Sequence, residues 1–203
     1  MAFILAWAWS LTARAEWTNV THNVGGEAWG YAGVCLLKAV PGSSAMIAGV
    51  SEAGLWLSDD LGLSWRKLAP QDAETIRHRP HQIVFDPLDP ARFWVSGCYG
   101  PSPFMTTNGG RAFQRLGSLT HMDGIGIDFT DPARRTIVVG LHEQARSVHK
   151  SADGGRTWEK LAAPLPFQPN GIAFNVLSRS LYAWRSSEKK AGDAILRWDL
   201  RDP

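Results

Sequence analysis

The residues able to do chemistry crowd into a few short turns. Ser51 and Glu52 follow one apolar run, Cys98 and Tyr99 follow a second, and His142, Glu143 and Gln144 a third. Ahead of similar runs stand His78, Arg79 and His81, then His121 and Asp123, then Asn170, while Arg185 and Glu188 complete the set. Glu52, Asp123 and Glu143 are carboxyl groups of the kind that work in pairs as acid and base. His81, Tyr99, His121, His142, Asn170 and Arg185 would hydrogen-bond a polar ligand, with Trp29, Tyr99 or Trp184 as stacking surfaces for a saccharide. His81, His121 and His142 could instead converge on a metal with Asp123 or Glu143. Their separation carries no metal-ligand spacing, so neither a metal nor another cofactor is expected. The third alternative is structural: short polar side chains satisfy the loop backbone and no ligand binds.

Composition limits what can hold these residues in place. The chain has 203 residues, of which 44% are hydrophobic, enough for a real core. A formal net charge of +2 speaks against a nucleic-acid partner, which would call for a concentrated basic face. The 15 arginines are scattered along the chain, as on an ordinary solvated surface. No apolar run reaches the roughly 20 residues that span a bilayer. Two cysteines cannot make a disulfide scaffold, and Cys35 and Cys98 read as buried free thiols.

Residues 1–15 have the outline of an export signal. Ala2 to Trp9 is apolar, and Ala13-Arg14-Ala15 is a small-x-small site that would be cleaved before Glu16. No Lys or Arg precedes the apolar run, so a buried first strand is the competing reading. With the signal, the expected location is secreted or periplasmic.

Internal repeats set the fold expectation. Ser58–Trp65 (SDDLGLSW), Thr106–Phe113 (TTNGGRAF) and Ser151–Trp158 (SADGGRTW) align as one octapeptide. Asp60, Asn108 or Asp153 can fold back onto nearby backbone N–H groups. Gly62, Gly110 or Gly155 supplies a positive φ, and Trp65, Phe113 or Trp158 opens the next strand. Every part has a folding role, so these twelve residues are read as structural, with Ser58, Thr106 and Ser151 starting each turn. Around each octapeptide the same strand order recurs, with inner strands at 34–37, 82–85, 124–129 and 171–174. Second strands follow at 46–50, 92–96, 136–140 and 181–184. Four strands in about 45 residues is the spacing of a β-propeller blade. The expectation is therefore an all-β chain of four-stranded antiparallel blades, about four in number, at 31–70, 80–117, 121–162 and 169–203. The fourth repeat breaks off at Trp198-Asp199. Either Trp17–Val20 completes that blade in a four-bladed ring, or the chain is part of a longer ring.

The octapeptides resemble the Asp-box, or bacterial neuraminidase repeat, of sialidases, xyloglucan-cleaving endoglucanases, sortilin-type receptors and photosystem II assembly factors. The resemblance covers the architecture after residue 16. It implies a propeller and leaves function open, since these families do different things. Carried over residue by residue, it implies little catalysis. His78-Arg79-Pro80 lacks the central residue of the sialidase arginine motif, and none of Tyr31, Tyr99 and Tyr182 sits in a nucleophile motif. The xyloglucanase Asp falls on Ser51, which cannot act as acid or base, with Glu52 beside it. The resemblance implies either a glycan-binding or glycoside-hydrolase-like protein, or a non-catalytic scaffold for a protein partner.

Overall fold

The computed structural model describes residues 17–21, 24, 29–70, 76–143, 147–161, 171–175, 177–185 and 194–199, without the side chains of Arg185 and Ala194. The expected export signal and Asn170 lie outside the described residues. Fifteen strands and no helix are seen among them. Four antiparallel sheets follow one another along the chain, each a simple meander. The first is β1 (Val34–Ala39), β2 (Met46–Val50), β3 (Gly54–Ser58) and β4 (Arg66–Lys67). The second is β5 (Arg79–Asp86), β6 (Asp89–Cys98), β7 (Phe104–Thr106) and β8 (Gln114–Arg115). The third is β9 (Met122–Ile127), β10 (Ile137–Leu141), β11 (Val148–Ser151) and β12 (Glu159–Lys160). The fourth has three described strands, β13 (Gly171–Asn175), β14 (Ser180–Arg185) and β15 (Ala194–Asp199). These are the expected blades of a β-propeller.

The sequence of the second strands explains how blades stack. In β6, Phe93 and Val95 point into a core shared with Ile47, Leu55 and Leu57 of the first blade. Trp94 between them points the other way, into a core with Ile125, Ile137 and Val139 of the third. Val138 in turn joins Ile172, Leu181 and Ala183 of the fourth. Successive side chains alternate between sheet faces, so a strand buried on both faces needs an unbroken apolar run such as Ile137–Leu141. Contacts link the first blade to the second, the second to the third and the third to the fourth. Among the described residues no strand of the fourth blade contacts the first, so the ring is open there. Leu37 and Ile195 stand exposed on the two blades at that opening.

Trp17–Thr21 forms no strand and does not complete the fourth blade as one alternative expected. Val20 packs instead on the first octapeptide turn. Its carbonyl accepts the Trp65 Nε1–H at 2.7 Å, and its side chain covers Gly62.

The three octapeptides form one hydrogen-bond pattern. The Ser58, Thr106 or Ser151 hydroxyl accepts the N–H of Gly62, Gly110 or Gly155 at 2.8, 3.0 and 2.8 Å. The same hydroxyl donates to Asp60, Asn108 or Asp153 at 2.9, 2.9 and 2.8 Å. The Asp153 carboxylate also takes the Thr157 N–H and hydroxyl, which hold its pKa down to about 2. These turns dock blades as well as close hairpins: Trp158 Nε1–H reaches the Leu116 carbonyl of the previous blade at 3.2 Å. A buried ion pair adds to the same seam. Asp86 accepts from Arg134 Nε at 2.9 Å and from its terminal nitrogen at 3.0 Å, joining the second blade to the third.

Candidate functional site

The turns between second and third strands share one end of the blades with the segments entering each first strand. The octapeptides lie at the opposite end, because direction reverses at each antiparallel strand. We call the first end the top face. There the Ser51-Glu52, Cys98-Tyr99 and His142-Glu143 pairs occupy equivalent places at the end of a second strand, Cys98 being the last residue of β6. Glu52, Tyr99 and Glu143 have φ of 63°, 61° and 54°, and neighbouring His121 has 57°. A side chain with a Cβ costs about 1–2 kcal/mol in that region, so four such residues on one face mark a strained surface.

Tyr99, His142 and Asp123 form a connected relay. Asp123 Oδ1 lies 2.7 Å from His142 Nδ1, and His142 Nε2 lies 3.0 Å from the Tyr99 hydroxyl. The Cys98 thiol donates to the same Oδ1 at 3.3 Å. With Asp123 accepting as a carboxylate, the imidazole proton lies on Nδ1 and the lone pair on Nε2. Tyr99 then donates to Nε2. Asp123 is 4% exposed, so it orients His142 from below, while Tyr99 is 43% exposed and reaches the surface.

Rigid backbone fixes this geometry. Asp123 sits on β9, whose central residues are buried on both faces. The turn carrying Tyr99 is tied to the third blade by His121 N–H to the Gly100 carbonyl at 2.9 Å, and His142 N–H in turn reaches the His121 carbonyl. The Tyr99 ring meets His142 edge-on at 4.9 Å and His121 at 6.0 Å between centroids. Glu143 Oε1 lies 3.5 Å from His142 Nε2, and its side chain is largely exposed.

Electrostatics keep the hydroxyl and thiol protonated. Burial, then the Glu143 carboxylate, raises the Tyr99 pKa above its ordinary value. Burial, then the Asp123 charge, pushes the Cys98 thiol up to about 12. Cys35 is likewise raised by burial, its thiol donating to the Pro80 carbonyl at 3.1 Å. Neither cysteine is poised as a nucleophile.

The structure thus brings Tyr99, His121, Asp123, His142 and Glu143 together. His81 joins them from β5 through a contact of its Nδ1 with the Asp123 carbonyl. Glu52 stands on the adjoining blade, where its Oε1 is 3.7 Å from His78 Nδ1 and its stem covers Gly30. His78 in turn lies over Gly100, next to Tyr99. Arg185 ends β14 in the fourth blade, beyond this cluster in chain order. Trp29 and Trp184 are 41% and 40% exposed.

Cys98 and His78 make contacts in this cluster that residue type and spacing alone do not assign. Cys98, expected to be a buried free thiol, is one, and it is also a second donor to Asp123. Superposing blades on their second strands aligns Cys98 with Ser51 and His142, which gives its position on the top face and not its partner.

The chemistry open to this arrangement is proton transfer at the Tyr99 oxygen. His142 can take the phenolic proton while Asp123 stabilises the resulting imidazolium, as in hydroxyl–imidazole–carboxylate relays generally. Glu143 adds a solvent-facing carboxylate within reach of the same imidazole.

No protein-family model matches the chain, and no curated protein matches its sequence. Solved structures do match in fold, and they are β-propellers. An ancestral GH74 enzyme matches 75% of this chain at 16% identity and a TM-score of 0.55. Hydrazine synthase of Kuenenia stuttgartiensis matches 83% at 15% identity and a TM-score of 0.61. A nidogen/laminin complex matches 72% at 16% identity and a TM-score of 0.54. The chain spans 22%, 46% and 54% of those three chains. At such identities the likeness is one of fold, and the fold is a β-propeller with an open ring among the described residues. No helix of the described residues is long and apolar enough to cross a membrane.

Proposed function

We propose that this chain is an exported Asp-box propeller whose top face binds a glycan, with the acid–base capacity of a glycoside hydrolase. The observation that carries the reading is the Asp123–His142–Tyr99 relay, buried at one end and exposed at the other. Polar, hydrogen-bonding surfaces flanked by aromatic rings suit sugar hydroxyls. Tyr99 and Glu143 touch the ligand, His142 exchanges the proton, and Asp123 is a positioning residue. Glu52 extends the surface across His78. The GH74 neighbour supports this reading by analogy of fold alone.

The test is oligosaccharide binding and aryl-glycoside hydrolysis by the wild type, Tyr99→Phe and His142→Ala. Tyr99→Phe removes one hydroxyl from the relay and should weaken binding about tenfold, the loss expected for one good hydrogen bond of about 1.5 kcal/mol. His142→Ala should abolish any hydrolysis. Equal binding by all three proteins would sink the proposal.

A second reading has its own observation. An apolar cleft of about 340 Å³ on the first blade is lined by Val34, Leu37, Met46, Ala48 and Leu61. Exposed apolar surface of this kind favours a scaffold for a protein partner. Leu37→Asp would abolish such docking and leave glycan binding intact.

A further inference from the structure

We infer that His81, Cys98 and Asp123 form a binding site for a zinc-like divalent cation beneath the top-face relay. A ring nitrogen of His81, the Cys98 sulfur and an Asp123 carboxylate oxygen all lie within 4.8 Å of one another. They come from β5, β6 and β9, three strands of two packed blades, so the fold holds the donors in place without help from mobile loops. Cys98 and Asp123 are 1% and 4% exposed. Ligands at the usual zinc distances in a tetrahedron stand roughly 3.3–3.8 Å apart. The Cys98 sulfur and Asp123 Oδ1 are 3.3 Å apart.

The donor set chooses the metal. One sulfur, one imidazole and one carboxylate suit zinc, whereas calcium and magnesium take oxygen ligands. The outer contacts fit as well. The His81 Nδ1–H donates to the Asp123 carbonyl, which orients the ring. His142 Nδ1 contacts the same Asp123 Oδ1 at 2.7 Å and so holds the carboxylate in place. Three protein ligands leave a fourth position for water or a ligand hydroxyl. On binding, the Cys98 S–H bond breaks, a sulfur–metal bond forms and the proton leaves to solvent; nothing is oxidised or reduced.

This set differs from the three histidines that sequence alone suggested. His121 and His142 are outside it, and Cys98, which no spacing argument singled out, is at its centre. The site shares Asp123 with the relay but does not rest on the glycan reading.

Cobalt(II) titration of the chelator-treated full chain tests the inference. One equivalent should bind with a thiolate-to-cobalt charge-transfer absorption, and zinc should displace it. Cys98→Ser should abolish the band and His81→Ala should weaken binding at least about tenfold. Cys35→Ser should leave both unchanged. A wild-type chain that takes up no cobalt overturns the inference whatever the variants do, as does a band that survives in Cys98→Ser. Saccharide binding by the metal-free chain is measured separately, so failure of one reading does not carry the other with it.

Discussion

Gly154 and Gly155 offer an internal comparison of backbone strain and blade packing. Both have positive φ, 77° and 90°, in the third octapeptide turn. A Cβ on Gly154 would meet nothing within 4 Å. A Cβ on Gly155 would lie 2.8 Å from Leu116 Cβ and 3.0 Å from its Cδ1, in the preceding blade. Gly154→Ala should therefore cost only the left-handed strain, about 1–2 kcal/mol. Gly155→Ala carries at least that strain and adds overpacking against a buried leucine, another 1–3 kcal/mol or so. Urea denaturation reads the difference directly. With a slope of about 1–3 kcal/mol per molar urea, the Gly155→Ala midpoint should fall roughly 1 M below that of Gly154→Ala. Leu116→Ala should be destabilising by about 2–5 kcal/mol alone, yet the double variant should recover about 1 kcal/mol or more relative to additivity. Equal losses at the two glycines, or strict additivity with Leu116→Ala, would refute the claim that these turns dock one blade on the next.

Two further predictions concern the seams between blades. Arg134 hydrogen-bonds hold the Asp86 carboxyl below its ordinary value, so its folded pKa is lower than its unfolded pKa. That contribution is present above the unfolded value near 3.9 and is lost as pH falls through the folded value. Urea midpoints should thus drop between pH 5 and pH 2, and Arg134→Met should flatten that dependence; an unchanged slope would contradict the assignment. Ile137 is fully buried between the second and third blades, so Ile137→Ala should cost about 2–5 kcal/mol, against little change for Leu88→Ala at an 84% exposed turn. Thermal unfolding of the two variants checks the contrast.

The fold was legible because its signals are local. Ser58, Asp60 and Gly62 each satisfy their roles within five residues of chain, and the pattern recurs in Thr106–Gly110 and Ser151–Gly155. Strand ends were less legible. β5 begins at Arg79 and β6 runs to Cys98, each beyond the apolar stretch, because backbone pairing continues past it to Arg79 opposite Cys98. The top-face turns were located by counting strands, and that sufficed to gather Tyr99, His121, Asp123, His142 and Glu143. The relay itself was not readable. Asp123 lies on β9 and His142 just past its partner β10 in the same blade, while Tyr99 arrives from another, and only the stagger between blades sets their separation. The same limit hid Cys98, since nothing in a lone cysteine reveals which carboxylate lies across the seam.

The most direct test of the top-face account is amide and imidazole chemical-shift mapping of the nitrogen-15-labelled chain during oligosaccharide titration. The account predicts perturbations confined to Glu52, Tyr99, His121, His142 and Glu143, with the His142 imidazole protonated on Nδ1 before ligand is added. Shifts centred on Asp60, Asn108 and Asp153 at the opposite end of the blades, or none anywhere at millimolar saccharide, would contradict it.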